Sequence, residues 1–271
     1  MRIWIFLLLS REANIPSALE KIGELLKAFV EKEPKNPELL YNCSQLFARV
    51  AGNNEEVLQQ TMEMLKRSEF MNSTNSYYIS EIAYQKTLLG DYSDAFSLYQ
   101  KAASLDESNT LPLYGMIYCR IRQDLLDDTD EQLEFLLDVN NSSRSAFHIF
   151  LEALLKWKRT NDLTHSVEML GEALSAHIAE TKKVPYGFEF YIKLNSAFLI
   201  ELAKEYMQHL GMKQIPKKDQ VPKYLFKGIK LLETLTRQTP GILESHVLLA
   251  KARWAKHDIQ GALVELKLVL K

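Results

Sequence analysis

Large apolar residues recur at helical spacing along most of the chain. The segment from Ser76 to Asn109, SYYISEIAYQKTLLGDYSDAFSLYQKAASLDESN, places Ile79 and Ile82 on one helical face and three small alanines further along. This periodicity predicts two successive amphipathic helices with a short turn between them. No segment alternates apolar and polar residues over the length of a strand, so the sequence predicts no sheet.

The small residues of this segment indicate how its two helices pack. Ala83, Ala95 and Ala102 occupy its eighth, twentieth and twenty-seventh positions, and Tyr99 occupies the twenty-fourth. Small residues are needed where two antiparallel helices approach closely, while larger side chains fill the remaining gaps. This pattern and the length of 34 residues are those of a tetratricopeptide repeat.

A glycine and an aspartate divide the segment in two. Gly90 can take the positive φ angle that ends a helix, and Asp91 can cap the helix that follows. The two residues are therefore interpreted as turn chemistry rather than as part of a catalytic loop.

The flanking sequence repeats this pattern less faithfully. In the next segment, Leu113 and Met116 match the first helix, Leu133 and Leu136 match the second, and Thr129 stands where alanine is expected. About seven helix pairs are predicted, beginning near residues 1, 37, 76, 110, 145, 196 and 243. The expected fold is all-α, a right-handed superhelical solenoid of tetratricopeptide-like pairs that forms a single array over residues 1–271.

Two segments interrupt the predicted array. Residues 182–195 are aromatic and break the helical period, and residues 211–222 are polar and contain prolines. Both are interpreted as insertions between helices. At the N-terminus, MRIWIFLLLS is expected to lie in a first helix; a signal peptide is the weaker alternative, because REANIPS offers no small-residue cleavage site. Since neither end carries a polar capping helix, the array is expected to be part of a longer solenoid or a truncated product.

Composition excludes several classes of protein. The net charge of −2 gives no general attraction to nucleic acid or to an anionic membrane. No window reaches the ~18 apolar residues of a membrane-spanning helix, so no direct membrane insertion is expected. Cys43 and Cys119 are the only cysteines, too few for a disulfide framework, and this favours a reducing compartment.

The sequence offers no catalytic or cofactor motif. It contains no HExxH, no paired-cysteine zinc spacing, no phosphate-binding glycine loop and no GxSxG. The acidic run from 124 to 139 fails as a calcium loop, because Leu133 and Val139 stand where the glycine and the final glutamate belong. It is interpreted as the solvated face of a helix, and the lysines from 213 to 227 as a solvated loop. No enzyme activity, metal or cofactor is expected.

Four stretches resemble one family closely. They are ALEKIGELLKAFVEKEPKNPELLYN, DEQLEFL, VPYGFEFYIKLNSAFLIELAKEYM and LLETLTRQTPGIL, which together sample nearly the whole chain. They are similar to the tetratricopeptide-repeat subunit of intraflagellar transport complex A, the tetratricopeptide repeat protein twenty-one family. The third stretch is the most specific, because a generic repeat protein does not need its aromatic insertion.

This resemblance implies a function that periodicity alone does not reveal. It implies a non-catalytic scaffold that supports retrograde ciliary transport and the ciliary entry of membrane proteins. The implied partners are the other subunits of intraflagellar transport complex A, with protein partners only and no nucleic acid. The implied location is the cilium, with its basal body and axoneme, and the cytoplasm.

A row of tyrosines on predicted first helices is the candidate binding groove. Its members are Tyr41, Tyr77, Tyr84, Tyr114 and Tyr118. Tyrosine gives a large contact area with a hydroxyl for orientation, and about half of these rings are expected to pack within the array instead. The alternative function is a co-chaperone-type or other peptide-binding adaptor, which grips a terminal carboxylate with Lys and Asn. Ser80 and Tyr84 stand at those groove positions in one repeat, and Tyr114 and Tyr118 in the next, which disfavours that alternative.

Overall fold

The chain is helical throughout the part that the structure describes. The computed structural model describes residues 15–32, 34–139, 143–208, 214–215 and 222–270, and within these ranges it contains no strand. The helices are α1 (Ile15–Glu31), α2 (Pro37–Ala51), α3 (Glu55–Met71), α4 (Ser76–Leu88), α5 (Tyr92–Leu105), α6 (Leu111–Arg122), α7 (Thr129–Val139), α8 (Ala146–Thr160), α9 (Leu163–Thr181), α10 (Phe188–Leu194), α11 (Ser196–Met207), α12 (Lys223–Gln238), α13 (Leu243–Ala255) and α14 (Ile259–Val269). The predicted all-α fold of helix pairs is confirmed.

Six helix pairs lie in the described ranges. Their first helices begin at Pro37, Ser76, Leu111, Ala146, Ser196 and Leu243, each within one residue of the position predicted for it. We name the first four of these pairs A (α2 and α3), B (α4 and α5), C (α6 and α7) and D (α8 and α9). The stretch MRIWIFLLLS lies outside the described residues, as do residues 211–213 and 216–221 of the second predicted insertion.

The chain divides into two compact units. Unit 1 comprises Met1–Ala28, Arg49–Val57 and Asn195–Lys271, and unit 2 comprises Phe29–Ala48 and Leu58–Leu194. In unit 1, Gly52 has a φ of +61° and lies against Ile242, such that an added β-carbon would be 2.9 Å from Ile242 Cγ2. Unit 2 holds most of the residues on which the candidate binding surface depends.

The turn inside pair B forms as predicted at the glycine but not at the aspartate. Gly90 has a φ of +79°, and Asn75 caps α4 by accepting a hydrogen bond from Tyr77 N at 3.0 Å. Asp91 occupies the N-cap position of α5 without a side-chain capping bond. Its Oδ2 accepts a hydrogen bond from Lys86 Nζ at 2.7 Å instead, so the carboxylate joins the two helices across the turn.

Small residues form the contact between pairs B and C. Ala83, Ala95 and Cys119 are completely buried in one apolar cluster, which Tyr99 completes. Such side chains allow the helix backbones to approach closely, and the tyrosine ring fills the space that they leave.

We expect that Ala95→Leu lowers the free energy of unfolding by about 1–3 kcal/mol, because it overpacks this cluster. Chemical denaturation monitored by far-UV circular dichroism measures the change. Ala103→Leu is a suitable control, since residue 103 lies on the same helix and is only partly buried. Equal stability of wild type and Ala95→Leu would contradict the packing described for α5.

Pair C follows the predicted spacing in its second helix but not in its first. Thr129, Leu133 and Leu136 are buried, each 34 residues after Ala95, Tyr99 and Ala102 respectively. In α6, however, the buried small residue is Cys119, which lies 36 residues after Ala83. The prediction that aligned Leu113 and Met116 with the core of the first helix is therefore wrong by two residues, and both side chains are only partly buried.

The turn of pair C accounts for this displacement. Asp124 and Asp128 both have positive φ angles, of 60° and 59°. Left-handed residues other than glycine are uncommon, and this connection has six residues, 123–128, whereas the connection in pair B has three, 89–91. Spacing counted from the clearest repeat cannot show a change of this kind.

A buried polar group joins pair A to pair B. Gln85 on α4 is fully buried; its Nε2 donates to Ser44 Oγ at 2.9 Å, and its Oε1 accepts from Thr61 Oγ1 at 2.8 Å. Both ends of the amide are thus satisfied by the two helices of the preceding pair, which removes the cost of burying it.

Candidate protein-binding surface

Tyr77 is the one predicted groove tyrosine that is well exposed, with 47% of its surface accessible. It lies in the first turn of α4, two residues after the capping residue Asn75. Its ring is therefore held on a rigid helix end and is available to a partner.

Tyr41 and Tyr84 are half-buried. Tyr41 lies 5.2 Å from the ring of Tyr78, measured between centroids, and its hydroxyl accepts from Gln45 Nε2 at 2.8 Å. Tyr84 packs against the cluster between pairs B and C. Each ring therefore has one side within the array and one side toward solvent.

Tyr114 and Tyr118 are buried between pairs C and D. Both rings lie about Phe147 of α8, at centroid distances of 6.3 and 6.0 Å. Tyr114 OH is also 3.3 Å from His148 Nδ1, and Arg122 Nε donates to Tyr118 OH at 3.2 Å. The structure therefore brings these two tyrosines together as packing residues, whereas Tyr77 lies apart from them on α4.

The two-residue displacement of α6 explains this burial. Moving 36 residues along the chain from Ser80 and Tyr84 leads to Met116 and Arg120, both partly buried, rather than to Tyr114 and Tyr118. Ser80 itself is buried and donates to Ser76 O at 2.7 Å. Neither pair B nor pair C therefore presents the Lys and Asn side chains that clamp a terminal carboxylate.

The titratable groups near this surface are used in packing. Cys119 is buried, and burial raises the pKa of its thiol to about 12, so the nucleophilic thiolate does not form near neutral pH. Burial also raises the pKa of Cys43. In the described part of the chain, no group of three or more His, Cys, Asp or Glu residues is placed to hold a metal ion.

The acidic run of pair C is largely exposed, as predicted, but two of its carboxylates also form ion pairs with α8. Asp124 pairs with Lys158 of α8, and Asp130 pairs with Arg159. Arg159 Nη2 also donates to Leu126 O at 2.9 Å. These contacts tie the turn of pair C to pair D, a role that the interpretation as a solvated face had missed.

The first predicted insertion contains a short helix, α10, instead of being wholly irregular. Tyr186 is 80% exposed, yet its ring lies 4.5 Å from that of buried Phe190, measured between centroids. His177 Nε2 lies 2.9 Å from Leu194 O, and burial lowers the pKa of His177, which favours a neutral ring that donates to this carbonyl. The segment thus exposes two aromatic side chains, Tyr186 and Phe188, beside the buried ring of Phe190.

Sequence reasoning missed a second group of exposed apolar residues in unit 2. They lie at the ends of helices, beside the connections between pairs, and we call them the apolar edge: Phe70, Met71, Leu105, Leu111 and Val139. The available signal was their position, because all five fall next to a connection and not at the small, closely packed positions of the repeat.

None of the helices in the described ranges combines the length and the apolar character needed to cross a bilayer.

Comparison with known proteins identifies relatives that match nearly the whole chain. The chain is 32% identical over 253 residues to Tetratricopeptide repeat protein 21B of Homo sapiens, which covers 93% of this chain and 19% of that protein. It is 27% identical over 256 residues to Tetratricopeptide repeat protein 21A of Homo sapiens, covering 91% of this chain and 19% of that protein. The chain thus spans about a fifth of the length of these relatives.

A solved structure of a tetratricopeptide repeat protein from Parabacteroides merdae is also similar, with 17% identity, a TM-score of 0.48, and coverage of 98% of this chain and 91% of that chain. Residues 20–271 match the family described as the Tetratricopeptide repeat protein 21 second ARM domain. With all but the first 19 residues inside that match, the chain belongs to the family of the Tetratricopeptide repeat protein 21 second ARM domain.

Proposed function

We propose that the chain is a non-catalytic scaffold that binds other subunits of intraflagellar transport complex A. The observation that supports this function is the family match over residues 20–271. In that setting the chain would support retrograde ciliary transport and the ciliary entry of membrane proteins. It would act in the cilium, at the basal body and axoneme, and in the cytoplasm.

The proposed binding groove is centred on Tyr77. Its ring is exposed at the start of α4, and Tyr84 lies two turns further along the same helix with one side open. Residues seven apart share a helical face, so both rings can contact one partner segment. Tyr41 extends this surface onto pair A, whereas Tyr114 and Tyr118 support it from within by fixing pair C against pair D.

We expect the double change Tyr77→Ala with Tyr84→Ala to weaken recovery of the complex subunits, because truncating an aromatic anchor often costs at least ~2 kcal/mol of binding free energy. The test is affinity purification of the tagged chain from ciliated cells, followed by mass spectrometry. Phe226→Ala on α12 is the matched control, since that ring has an exposure of 49%, similar to that of Tyr77.

Far-UV circular dichroism of each variant shows whether the fold is retained. Unchanged recovery with an intact fold would contradict the groove. Recovery of chaperones in place of complex subunits would overturn the scaffold function in favour of the co-chaperone-type adaptor.

A further inference from the structure

The apolar edge lies on one side of unit 2. In an antiparallel pair, the end of the second helix lies beside the start of the first. Ser68 Oγ near the end of α3 donates to Pro37 O at the start of α2, at 2.9 Å. Asn109 Nδ2, in the connection after α5, donates to Ser76 Oγ at the start of α4, at 3.1 Å. These two hydrogen bonds hold neighbouring connections beside one another, so the apolar edge lies on fixed helix ends.

The exposure of this edge is unusual for side chains of this size. Phe70 is 91% exposed and Leu111 is 62% exposed. At the opposite side, where the turns inside pairs A to D lie, Leu89 and Leu125 are the exposed large apolar residues in the described part of unit 2. Exposed apolar residues gathered at one side of a folded unit favour an interaction site more than the same residues scattered over its surface.

Charge at the apolar edge is mainly negative. The segments that carry the edge, residues 68–79, 102–114 and 136–139, contain Glu69, Asp106, Glu107 and Asp138, and Arg144 in the connection after α7 is paired with Glu152. Glu69 is neutralised by Lys101, whose Nζ lies 2.7 Å from Glu69 Oε1. The remaining three carboxylates favour a partner with basic side chains beside its apolar ones.

The secondary structure around the apolar edge indicates the conformation of its partner. The described residues include no strand, so an extended segment finds no sheet edge with which to pair. A helix satisfies its own backbone and can lay one apolar face across successive connections. We propose that the apolar edge binds an amphipathic helix of a protein partner, whose apolar face is flanked by Lys and Arg. This inference rests on the proposed protein-binding function and names the chemistry of one partner.

Binding of two synthetic peptides to the 271-residue chain tests the proposal. The first is an amphipathic helix of ~18 residues made of Leu and Lys, and the second has Glu in place of every Lys. Fluorescence anisotropy should detect binding of the Leu/Lys peptide and at least ~10-fold weaker binding of the Leu/Glu peptide. The double variant Phe70→Ser with Leu111→Ser should weaken Leu/Lys binding at least ~10-fold.

The matched control is Leu89→Ser with Leu125→Ser, which removes exposed apolar residues from the opposite side of the same unit. The control should bind the Leu/Lys peptide within ~2-fold of wild type, whereas an equal loss in both variants would overturn the proposal. Sedimentation of the chain alone provides a second test, because it measures the oligomeric state. A dimer that dissociates in the Phe70→Ser, Leu111→Ser variant would assign the edge to a second copy of the chain instead.

The peptide assay tests the apolar edge, and the purification from ciliated cells tests the scaffold function. A negative result in one experiment can therefore be distinguished from a negative result in the other. Absence of peptide binding with normal recovery of complex subunits would remove the proposed edge site and leave the scaffold function intact. Peptide binding with no recovery of complex subunits would leave the edge site and remove the proposed ciliary function.

Discussion

Replacing Glu265 by alanine should lower the free energy of unfolding by about 3 kcal/mol, because it removes the acceptor shared by the buried His246 and the partly buried Arg253. His246 Nδ1 lies 2.6 Å from Glu265 Oε2, and Arg253 Nη1 donates to Glu265 Oε1 at 2.9 Å. Glu265 and His246 are both buried in unit 1. One carboxylate on α14 therefore holds two side chains of α13.

Urea denaturation of wild type, Glu265→Ala and Glu233→Ala measures this effect. Glu233 accepts from the other side of Arg253, at 3.2 Å from Nη2, and its side chain is 35% exposed. Loss of this more exposed pair should cost less than about 1 kcal/mol. Similar destabilisation by the two variants would show that burial does not distinguish the two carboxylates.

Gly115→Leu should destabilise the chain by about 3 kcal/mol or more, because the ring of Tyr99 occupies the space where a side chain would begin. A β-carbon at residue 115 would lie 2.7 Å from Tyr99 Cε1 and closer still to Cζ. Alanine normally improves on glycine within a helix by about 1 kcal/mol. Even Gly115→Ala should therefore lose stability, against the helix propensity.

Thermal and chemical denaturation of Gly115→Ala and Gly115→Leu test this contact. Gly187→Ala is the control, since a β-carbon at that residue meets no atom within 4 Å. Adding Tyr99→Leu to Gly115→Ala should recover part of the loss, because it removes the atoms that clash. Additive effects of the two substitutions would show that the residues are not coupled.

Periodicity was sufficient to predict the helix pairs, because each pair must bury one apolar face. The first helices of pairs A to D begin within one residue of their predicted starts. The fully buried Ala95 and Ala102 also lie where close packing requires small residues. These features depend on local spacing, which the sequence displays directly.

The register of α6 could not be predicted by counting from pair B. It depends on Tyr99 meeting Gly115 and on the two left-handed aspartates of the turn. A glycine inside a helical pattern is a sign of close packing, so Gly115 in the stretch LYGMIYC indicated a close contact at this point of α6. The burial of Tyr114 and Tyr118 follows from this register, and their spacing of four residues gave no indication of which face was covered.

The apolar edge escaped prediction for a different reason. Leu105 and Leu111 are apolar residues in a helical pattern, and their exposure depends on which helix ends the neighbouring pairs leave uncovered. Phe190 shows the opposite case, since it lies in an aromatic insertion predicted to break the helical period and is buried within α10.

The amide of Gln85 has a mechanical consequence. Apolar contacts alone resist the separation of two helix pairs better than they resist sliding, because the contact area changes little during sliding. If pair B were displaced by one helical step along pair A, Gln85 would lose both Ser44 and Thr61 while still buried. Its Nε2 would keep the 3.3 Å bond to Glu81 Oε1, whereas its Oε1 would be left unsatisfied at a cost of about 1–3 kcal/mol. The hydrogen bonds of this single side chain thus oppose sliding of pair B along pair A. Under an applied force, the two pairs should separate in one step instead of sliding gradually past each other.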